Sequence, residues 1–242
     1  MEHPWQTRKN LQMYKPKHNQ RRLRTLILRV RSASRWAEIM DDKINLRIPE
    51  KLSLIEAKTR DLGFKMASEP QTGSLLKTLV ASKPKSRVLE LGTGTGLSTC
   101  WLLDGLDKDS MVLSVDNDPE VLEIAKEFLS VDPRVEFCLS EGSGFLKGLQ
   151  RDHFDFIFAD TWPGKYWDLD LALSTLKEGG IYLIDDMLPQ ESWPQDHAPK
   201  VQDLISELER RKDLYVTKLN WATGIIICTK IAQPFAGGDA TR

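Results

Sequence analysis

The chain has 242 residues, of which 40% are hydrophobic, and its 34 lysine and arginine residues balance 35 aspartate and glutamate residues to a formal net charge of -1. This balance excludes a polycation that binds nucleic acid with its whole surface, and no apolar run is long enough to cross a bilayer. The length predicts one domain with an N-terminal extension rather than two domains.

The number and spacing of the cysteines indicate the cellular compartment of the protein. Cys100, Cys138 and Cys228 are odd in number, far apart and without the spacing of a zinc site. Reduced thiols of this kind are typical of a cytoplasmic protein, and the first residues carry no signal-peptide pattern. We therefore expect a cytoplasmic protein that does not associate with membranes.

Residues 1–39 differ in composition from the rest of the chain. The first 35 residues contain ten lysine and arginine residues and a single acid, Glu2. Such a segment is typical of an arm that binds RNA or another anionic surface, and equally of a solvated tail or of sequence upstream of a translation start at Met40. The predicted organisation is a basic extension at 1–39, a domain at 40–232 and a tail at 233–242.

Apolar runs and turn residues divide the domain into helices and strands. Two helices, about 50–62 and 72–82, come first, and Pro70 and Gly73 interrupt the pattern between them. The strands that follow the first glycine-rich turn are expected at 111–115, 134–139, 154–159, 181–184, 214–219 and 224–230, with helices at 97–106, 118–129, 167–177 and 198–211. The last two strands are joined by so short a turn that they must pair antiparallel.

The segment from Arg87 to Thr99, RVLELGTGTGLST, predicts a buried strand, a tight turn and a helix N-terminus. Gly92, Gly94 and Gly96 allow positive φ and let a ligand lie against bare main chain. The first amides of the next helix can receive an anionic group, and the next strand ends in Asp116, where a ribose diol would be held. The expected ligand is nucleotide-like with a negatively charged end.

The spacing of these glycines distinguishes two nucleotide classes. An NAD fingerprint is G-x-G-x-x-G, whereas this loop is G-x-G-x-G with Glu90 two positions before it. The pattern E-x-G-x-G-x-G resembles motif I of class I S-adenosylmethionine-dependent methyltransferases. The resemblance implies their Rossmann-like α/β fold, a doubly wound, mostly parallel seven-stranded sheet with a reversed last strand.

The same resemblance implies a site for S-adenosylmethionine (SAM). The methionine end of the donor would be lined by Glu90, Gly92, Gly94, Gly96 and Ser98, and the ribose by Asp116 with Asn117. The adenine side would be lined by Glu141, Gly142 and Ser143, and Asp160 is also expected to contact the donor. Glu141 has an alternative interpretation as an acid at a helix N-terminus.

Acidic side chains follow the strands at 154–159 and 181–184. Asp160 comes directly after the first strand, and Asp185 and Asp186 follow the second. Because open parallel sheets bind ligands at the carboxyl ends of their strands, we expect these acids beside the glycine loop. Three carboxylates there would repel one another without a cation or a cationic side chain. The alternative is that the acids cap turns.

This arrangement resembles the cation-dependent O-methyltransferases of the catechol and caffeoyl-CoA type over about residues 46–230. Their metal triad is an Asp after strand four and an Asp-Asn pair after strand five, which implies that Asp160, Asp185 and Asp186 bind Mg²⁺ or a similar divalent cation through oxygen ligands. Asp186 departs from the family's amide. A turn and leucine pair before the first strand are similar to the same family: Gln71, Gly73, Leu75 and Leu76.

A second departure concerns the lysine of that family, which lies three positions after the strand-four Asp. Here position 163 is Pro and the lysine is Lys165, whereas Tyr166 keeps the family's offset of six. The resemblance implies that Asp160 and Lys165 are catalytic, with Lys165 taking the proton of the acceptor hydroxyl. The alternative is a surface lysine at a helix start.

These features together predict a SAM-dependent O-methyltransferase that acts on a small hydroxylated, catechol-like acceptor with the help of a divalent cation. Four aromatic residues near the acids suit such an acceptor, although loop aromatics also pack as lids: Trp162, Tyr166, Trp167 and Trp193. Two alternatives stay open, a methyltransferase that modifies tRNA or another RNA through the basic arm, and a protein that binds the donor without transferring its methyl group. The resemblance also makes a homodimer an expectation.

Overall fold

The structure is a computed structural model that describes residues 40–44, 46–190 and 193–232. The predicted basic extension at 1–39 and the predicted tail at 233–242 lie outside the described residues. The chain divides between Ile44 and Asn45, and every helix and strand below belongs to the second part. No helix in the described part is long and apolar enough to cross a membrane.

Helices and strands alternate along the described residues from 46 onward. The helices are α1 (Leu52–Leu62), α2 (Pro70–Ala81), α3 (Leu97–Gly105), α4 (Pro119–Leu129), α5 (Gly142–Lys147), α6 (Leu169–Thr175) and α7 (His197–Arg210). The strands are β1 (Arg87–Leu91), β2 (Met111–Asp116), β3 (Val135–Leu139), β4 (Phe154–Ala159), β5 (Leu176–Ile184), β6 (Leu214–Leu219) and β7 (Ile225–Lys230). The short helix α5 is the one element that the sequence analysis did not predict.

The seven strands form a single sheet in the order β3-β2-β1-β4-β5-β7-β6. β1 to β5 pair in parallel, and β7 runs antiparallel to both β5 and β6. The predicted mostly parallel sheet with a reversed last strand is therefore confirmed. The strand order reverses between β1 and β4, and ligands of such sheets bind in the crevice at that point.

The core lies on both faces of the sheet because side chains alternate along each buried strand. In β4, Phe156 and Phe158 are fully buried in one hydrophobic cluster, while Ile157 between them is fully buried in the other. Helices cover both clusters. Helix α4 begins as the sequence predicts for a capped helix. Pro119 is its first residue, and the Asp118 side chain accepts a hydrogen bond from Glu120 N at 2.9 Å.

Two predicted boundaries were wrong. Pro70 and Gly73 do not interrupt α2, because Pro70 is its first residue, where no amide is needed, and Gly73 lies inside the helix against Trp101. The helix predicted at 167–177 is shorter, and β5 already begins at Leu176. β5 continues through Gly179 and Gly180. Its register with β4 shifts between Phe154 and Phe156, and this β-bulge accommodates the extra residues of β5.

The contact between α2 and α3 gives a stability prediction. Gly to Ala in a helix interior normally stabilises a protein by about 1 kcal/mol, but a Cβ on Gly73 would lie 2.2 Å from Cδ1 of the buried Trp101. We expect Gly73→Ala to lower the free energy of unfolding by about 1–3 kcal/mol instead. Thermal or urea denaturation measures the change, and Ser74→Ala on the same helix is the control, with an expected effect within about 0.5 kcal/mol. A more stable Gly73→Ala variant would contradict the close packing.

Candidate functional site

The glycine loop turns sharply between the ends of β1 and β2. Gly92 and Gly94 have φ values of 97° and 51°, and Gly94 N donates a hydrogen bond to Asp116 Oδ2 at 2.7 Å. A Cβ on Gly92 would lie 2.6 Å from the Asp160 carbonyl oxygen. Only glycine combines this conformation with so close an approach of two backbones. The loop is thereby fixed beside the first residue after β4.

Glu90 lies at the floor of this loop and is completely buried. Its Oε2 accepts hydrogen bonds from Thr99 Oγ1 and Ser114 Oγ, both at 2.5 Å, and its Oε1 has no hydrogen-bond partner among the described residues. Burial raises the pKa of Glu90 to about 7, although the hydrogen bonds from Ser114 and Thr99 act in the opposite direction. A buried carboxylate oxygen without a partner fits a ligand that brings a cationic donor, as the methionine ammonium of SAM would.

The residues predicted for the ribose and adenine sides lie around the same loop. Asp116 fixes the loop through Gly94 and also accepts from Asp118 N at 3.0 Å, and Asn117 beside it is exposed. Glu141 caps α5 by accepting from the amides of Ser143 and Gly144, which holds its pKa below the ordinary value. Glu141 therefore lies at a helix N-terminus, as its alternative interpretation predicts, and its contact with adenine stays a prediction.

The adenine-side residues pack against the loop that follows β4. A Cβ on Gly142 would lie 2.9 Å from Pro163 Cβ. Ser143 Oγ donates a hydrogen bond to Asp168, the residue before α6. These contacts join the predicted donor site to the segment that carries Lys165 and Tyr166.

The first two predicted acids lie at the ends of neighbouring strands, where Asp160 is partly buried and Asp185 is buried. Burial raises the pKa of Asp160 well above its usual range, and the charge of Asp185 raises it further. Ser68 Oγ, from the segment between α1 and α2, donates to Asp160 Oδ2 at 3.0 Å. Asp185 is 1% exposed, and burial raises its pKa to about 6. Sequence reasoning did not identify Ser68, which lies outside every motif.

The acids do not form a metal site in this arrangement. No three His, Cys, Asp or Glu side chains in the described part of the chain are grouped so that they could hold a metal ion. Asp185 Oδ1 accepts from both Thr223 Oγ1 and Asp186 N, so both of its lone pairs are used. Asp186 adopts a left-handed conformation with φ of 59°. The described part of the chain thus shows no metal site at these acids, and the metal triad stays a prediction.

Lys165 is buried, so its alternative interpretation as a surface lysine was wrong. The residue is 3% exposed, and Nζ lies 5.3 Å from the centroid of the Tyr166 ring. Its positive charge opposes the rise in pKa of both Asp160 and Asp185. The structure therefore buries this lysine near enough to the predicted acids for its charge to act on their pKa values through space.

A cluster of aromatic rings borders the lysine; we call it the aromatic cluster, and it consists of Trp162, Tyr166, Trp167, Trp193 and His197. The imidazole of His197 stacks on Trp193 with ring centroids 3.9 Å apart, and its Nε2 shares a hydrogen bond with Tyr166 Oη at 2.6 Å. Trp162 meets Tyr166, Trp167 and His197 edge to face, with centroids 5.3–6.0 Å apart. Trp193 Nε1 is buried and has no hydrogen-bond partner among the described residues.

Sequence reasoning missed His197. It is 5% exposed, and both burial and the charge of Lys165 lower its pKa below the usual value. The available signal was its place in a proline-rich loop after an acid pair, in a chain with only 4 histidines. That signal is weak, because only the folded loop brings His197 to Tyr166.

A separate cavity of about 490 Å³ lies at the opposite edge of the sheet, near the starts of β2 and β3. It is lined by Lys51, Lys108, Val131, Asp132, Pro133 and Arg134. Its cations already have partners, since Lys51 donates to the Phe128 carbonyl and Arg134 pairs with Asp132 at 2.7 Å. This cavity offers no acid–base group aimed at a ligand, and we assign the chemistry to the carboxyl ends of the strands.

Comparison with known proteins identifies the family of this chain. The family described as O-methyltransferase matches residues 45–231, which is most of the chain. The chain belongs to this family. A protein of Mycobacterium ulcerans that is provisionally named an O-methyltransferase is 30% identical over 155 residues, which cover 61% of this chain and 69% of that protein.

Solved structures support the fold of this family member. The O-methyltransferase TomG from Streptomyces achromogenes, crystallised with SAM, has a TM-score of 0.70 at 22% identity and covers 82% of this chain and 98% of its own. The O-methyltransferase from Bacillus cereus, crystallised with S-adenosylhomocysteine (SAH), has a TM-score of 0.69 at 17% identity and covers 82% of this chain and 97% of its own. At these identities the likeness concerns the fold.

Glu90 gives a prediction on pH and stability. Its pKa in the folded protein, about 7, exceeds the ordinary value of 4.5, so the folded state binds more protons between these values and stability falls as pH rises through them. Glu90→Gln should remove this loss of stability. Between pH 4.5 and pH 8, the free energy of unfolding of the variant should rise by up to about 3 kcal/mol relative to that of wild type. Urea denaturation across this range measures it. Glu136→Gln, at an exposed position of β3, is the control and should follow the wild-type profile.

His197 predicts the opposite dependence of stability on pH. Its lowered folded-state pKa means that the unfolded chain binds the proton more readily, so this residue destabilises the fold as pH falls below about 6.5. We expect His197→Gln to lose stability less steeply than wild type between pH 6.5 and 5. Denaturation midpoints across that range test this, and parallel profiles for the two proteins would show that His197 is not buried as a neutral imidazole.

Proposed function

We propose that this protein transfers the methyl group of SAM to a hydroxyl of a small aromatic acceptor. One observation carries the proposal: in a chain of the O-methyltransferase family, a glycine loop with an unpaired buried Glu90 oxygen lies at the same sheet edge as a buried lysine and an aromatic cluster. The crystal structures of TomG and of the Bacillus cereus enzyme, which hold SAM and SAH, support the donor.

The donor would lie across the crevice between β1 and β4. Glu90 would receive its ammonium group, the glycine loop would lie against its chain, and Asp116 would hold the ribose diol once its own hydrogen bonds rearrange. SAM supplies a methyl carbon attached to a positively charged sulfur. The residues of this chain would bind the donor and the acceptor side by side, so that the acceptor oxygen can approach that carbon.

The acceptor would lie against the aromatic cluster. Flat rings offer stacking surfaces for an aromatic molecule, and the Trp193 indole N–H is a buried donor without a partner among the described residues. A hydroxylated aromatic acceptor satisfies both features, because its ring stacks while an oxygen accepts that N–H. This is the support for the predicted acceptor class.

The acceptor hydroxyl must lose its proton as its oxygen attacks. The new bond joins this oxygen to the methyl carbon, and the electron pair of the broken carbon–sulfur bond stays on sulfur, which gives SAH. The hydrogen bond between Tyr166 and His197 at 2.6 Å offers a route for the proton, from the acceptor through the Tyr166 hydroxyl to the neutral imidazole. The charge of Lys165 would then stabilise the oxygen as negative charge develops.

The test is calorimetric binding of SAH followed by transfer of labelled methyl from SAM to a mixed pool of catechols, with Mg²⁺ and with EDTA. We expect SAH to bind and the label to appear on a catechol. Asp116→Ala should weaken SAH binding by about tenfold or more, since it removes the carboxylate at the ribose position. Asp109→Ala, at a surface ion pair, should bind as wild type does. Absence of SAH binding would overturn the proposal.

The comparison of Mg²⁺ with EDTA addresses the divalent cation, which stays a prediction. SAH binding without transfer to any catechol would leave the predicted donor-binding protein and the RNA methyltransferase as the remaining hypotheses. The RNA partner rests on residues 1–39, outside the described part of the chain. The homodimer and the cytoplasmic location also stay predictions.

A further inference from the structure

The segment between α1 and α2 crosses the crevice in which the donor would lie. We call residues 64–68 the strap. At its first residue, the Phe64 ring lies against the glycine loop, because a Cβ on Gly94 would be 3.4 Å from Cε1 and Cζ of that ring. At its last residue, Ser68 Oγ donates to Asp160 Oδ2 at 3.0 Å. Gly94 follows β1 and Asp160 follows β4, so the strap runs from one side of this crevice to the other.

Both ends of the strap are anchored in the packed part of the protein. In α1, Thr59 is buried, and its hydroxyl shares a hydrogen bond at 2.8 Å with the buried Thr95 hydroxyl of the glycine loop. Gly63 then ends α1 in a left-handed conformation with φ of 74°. In α2, Gly73 packs against Trp101. The strap is therefore a short connection between two fixed helices.

The middle of the strap is weakly held. Lys65, Met66 and Ala67 are exposed. Among the described residues, no backbone hydrogen bond joins residues 65–68 to another segment, and the Ser68 hydroxyl is their only side-chain group with a hydrogen bond. Segments with few buried contacts and exposed backbone groups open at a low cost in free energy. Loss of one hydrogen bond therefore releases this part of the strap from β4.

We propose that the strap is a gate over the donor crevice, which opens by breaking the hydrogen bond between Ser68 and Asp160 so that SAM can enter and SAH can leave. In the closed state Phe64 lies on Gly94 and Ser68 on Asp160, and the closed strap would shield methyl transfer from water. The role of the gate in donor exchange rests on the proposed function. The opening of the strap does not, because it concerns contacts within this chain alone.

Limited proteolysis of the full chain without donor tests whether the strap opens. Trypsin cleaves after Lys65, and mass spectrometry follows this cleavage separately from cleavage elsewhere. Because a protease acts on the open population when opening is fast, wild type should be cut more slowly than a peptide of residues 61–72. Ser68→Ala removes the hydrogen bond and should be cut about threefold or more faster than wild type. Peptides with and without this substitution should be cut at equal rates.

The kinetics of SAH binding to the full chain test whether the strap controls donor exchange. Stopped-flow tryptophan fluorescence measures the association and dissociation rate constants. Since the donor passes through the same opening in both directions, Ser68→Ala should raise both constants by about threefold or more. A hydroxyl that only contacted the donor would affect the dissociation rate and leave association unchanged. Phe64→Leu, which removes the ring from Gly94, should shift both constants in the same direction as Ser68→Ala.

Two matched variants are the controls. Ser68→Thr keeps the hydroxyl and should behave as wild type. Ser82→Ala removes a hydrogen bond to the Leu79 carbonyl at the other end of α2 and should change neither cleavage nor SAH kinetics. Wild-type cleavage as fast as that of the peptide, or an unchanged association rate in Ser68→Ala, would show that the strap is not a gate. Absence of SAH binding to wild type would instead overturn the proposed function, and proteolysis would still decide whether the strap opens.

Discussion

The parallel pairing of β1 with β4 is the constraint on which the site depends. In this pairing Leu91 lies opposite Ala159, and Asp160 N donates to the Leu91 carbonyl at 2.9 Å. Two strands that are far apart in sequence therefore end side by side, one in the glycine loop and one in an acid. Because helices cover both faces of the sheet, the carboxyl-end edge is where ligands can enter.

Burial then sets the chemistry of that edge. Glu90 and Asp185 are buried by the same packing that forms the core, and Asp160 is partly buried. Loss of solvent is the main reason that all three carboxyl pKa values are raised. Lys165 is drawn into the same environment and offsets part of this effect. The site is therefore an electrostatically coupled group of buried side chains and cannot be understood one residue at a time.

The order of elements could be predicted because local chemistry and tertiary packing agree there. A nearly continuous apolar run specifies β4 as a strand buried on both faces, and Asp118 with Pro119 specifies the start of α4. Gly73 shows where local reasoning fails. Its helix tolerates a poor helix former because Trp101, from another helix, leaves no space for a side chain, and nothing in the neighbouring sequence indicates that contact.

The sequence by itself determined the glycine loop, the acids at the strand ends and the reversed last strand, because each depends on a short motif or a short connection. The tertiary structure decided which charges are buried together. Lys165 is drawn inward by a turn at Gly164 that is fixed by the distant Tyr182, and His197 reaches Tyr166 across 31 positions of chain. Burial and through-space charge depend on packing between segments that are remote in sequence, so the burial of Lys165 and the place of His197 could be identified only in the folded protein.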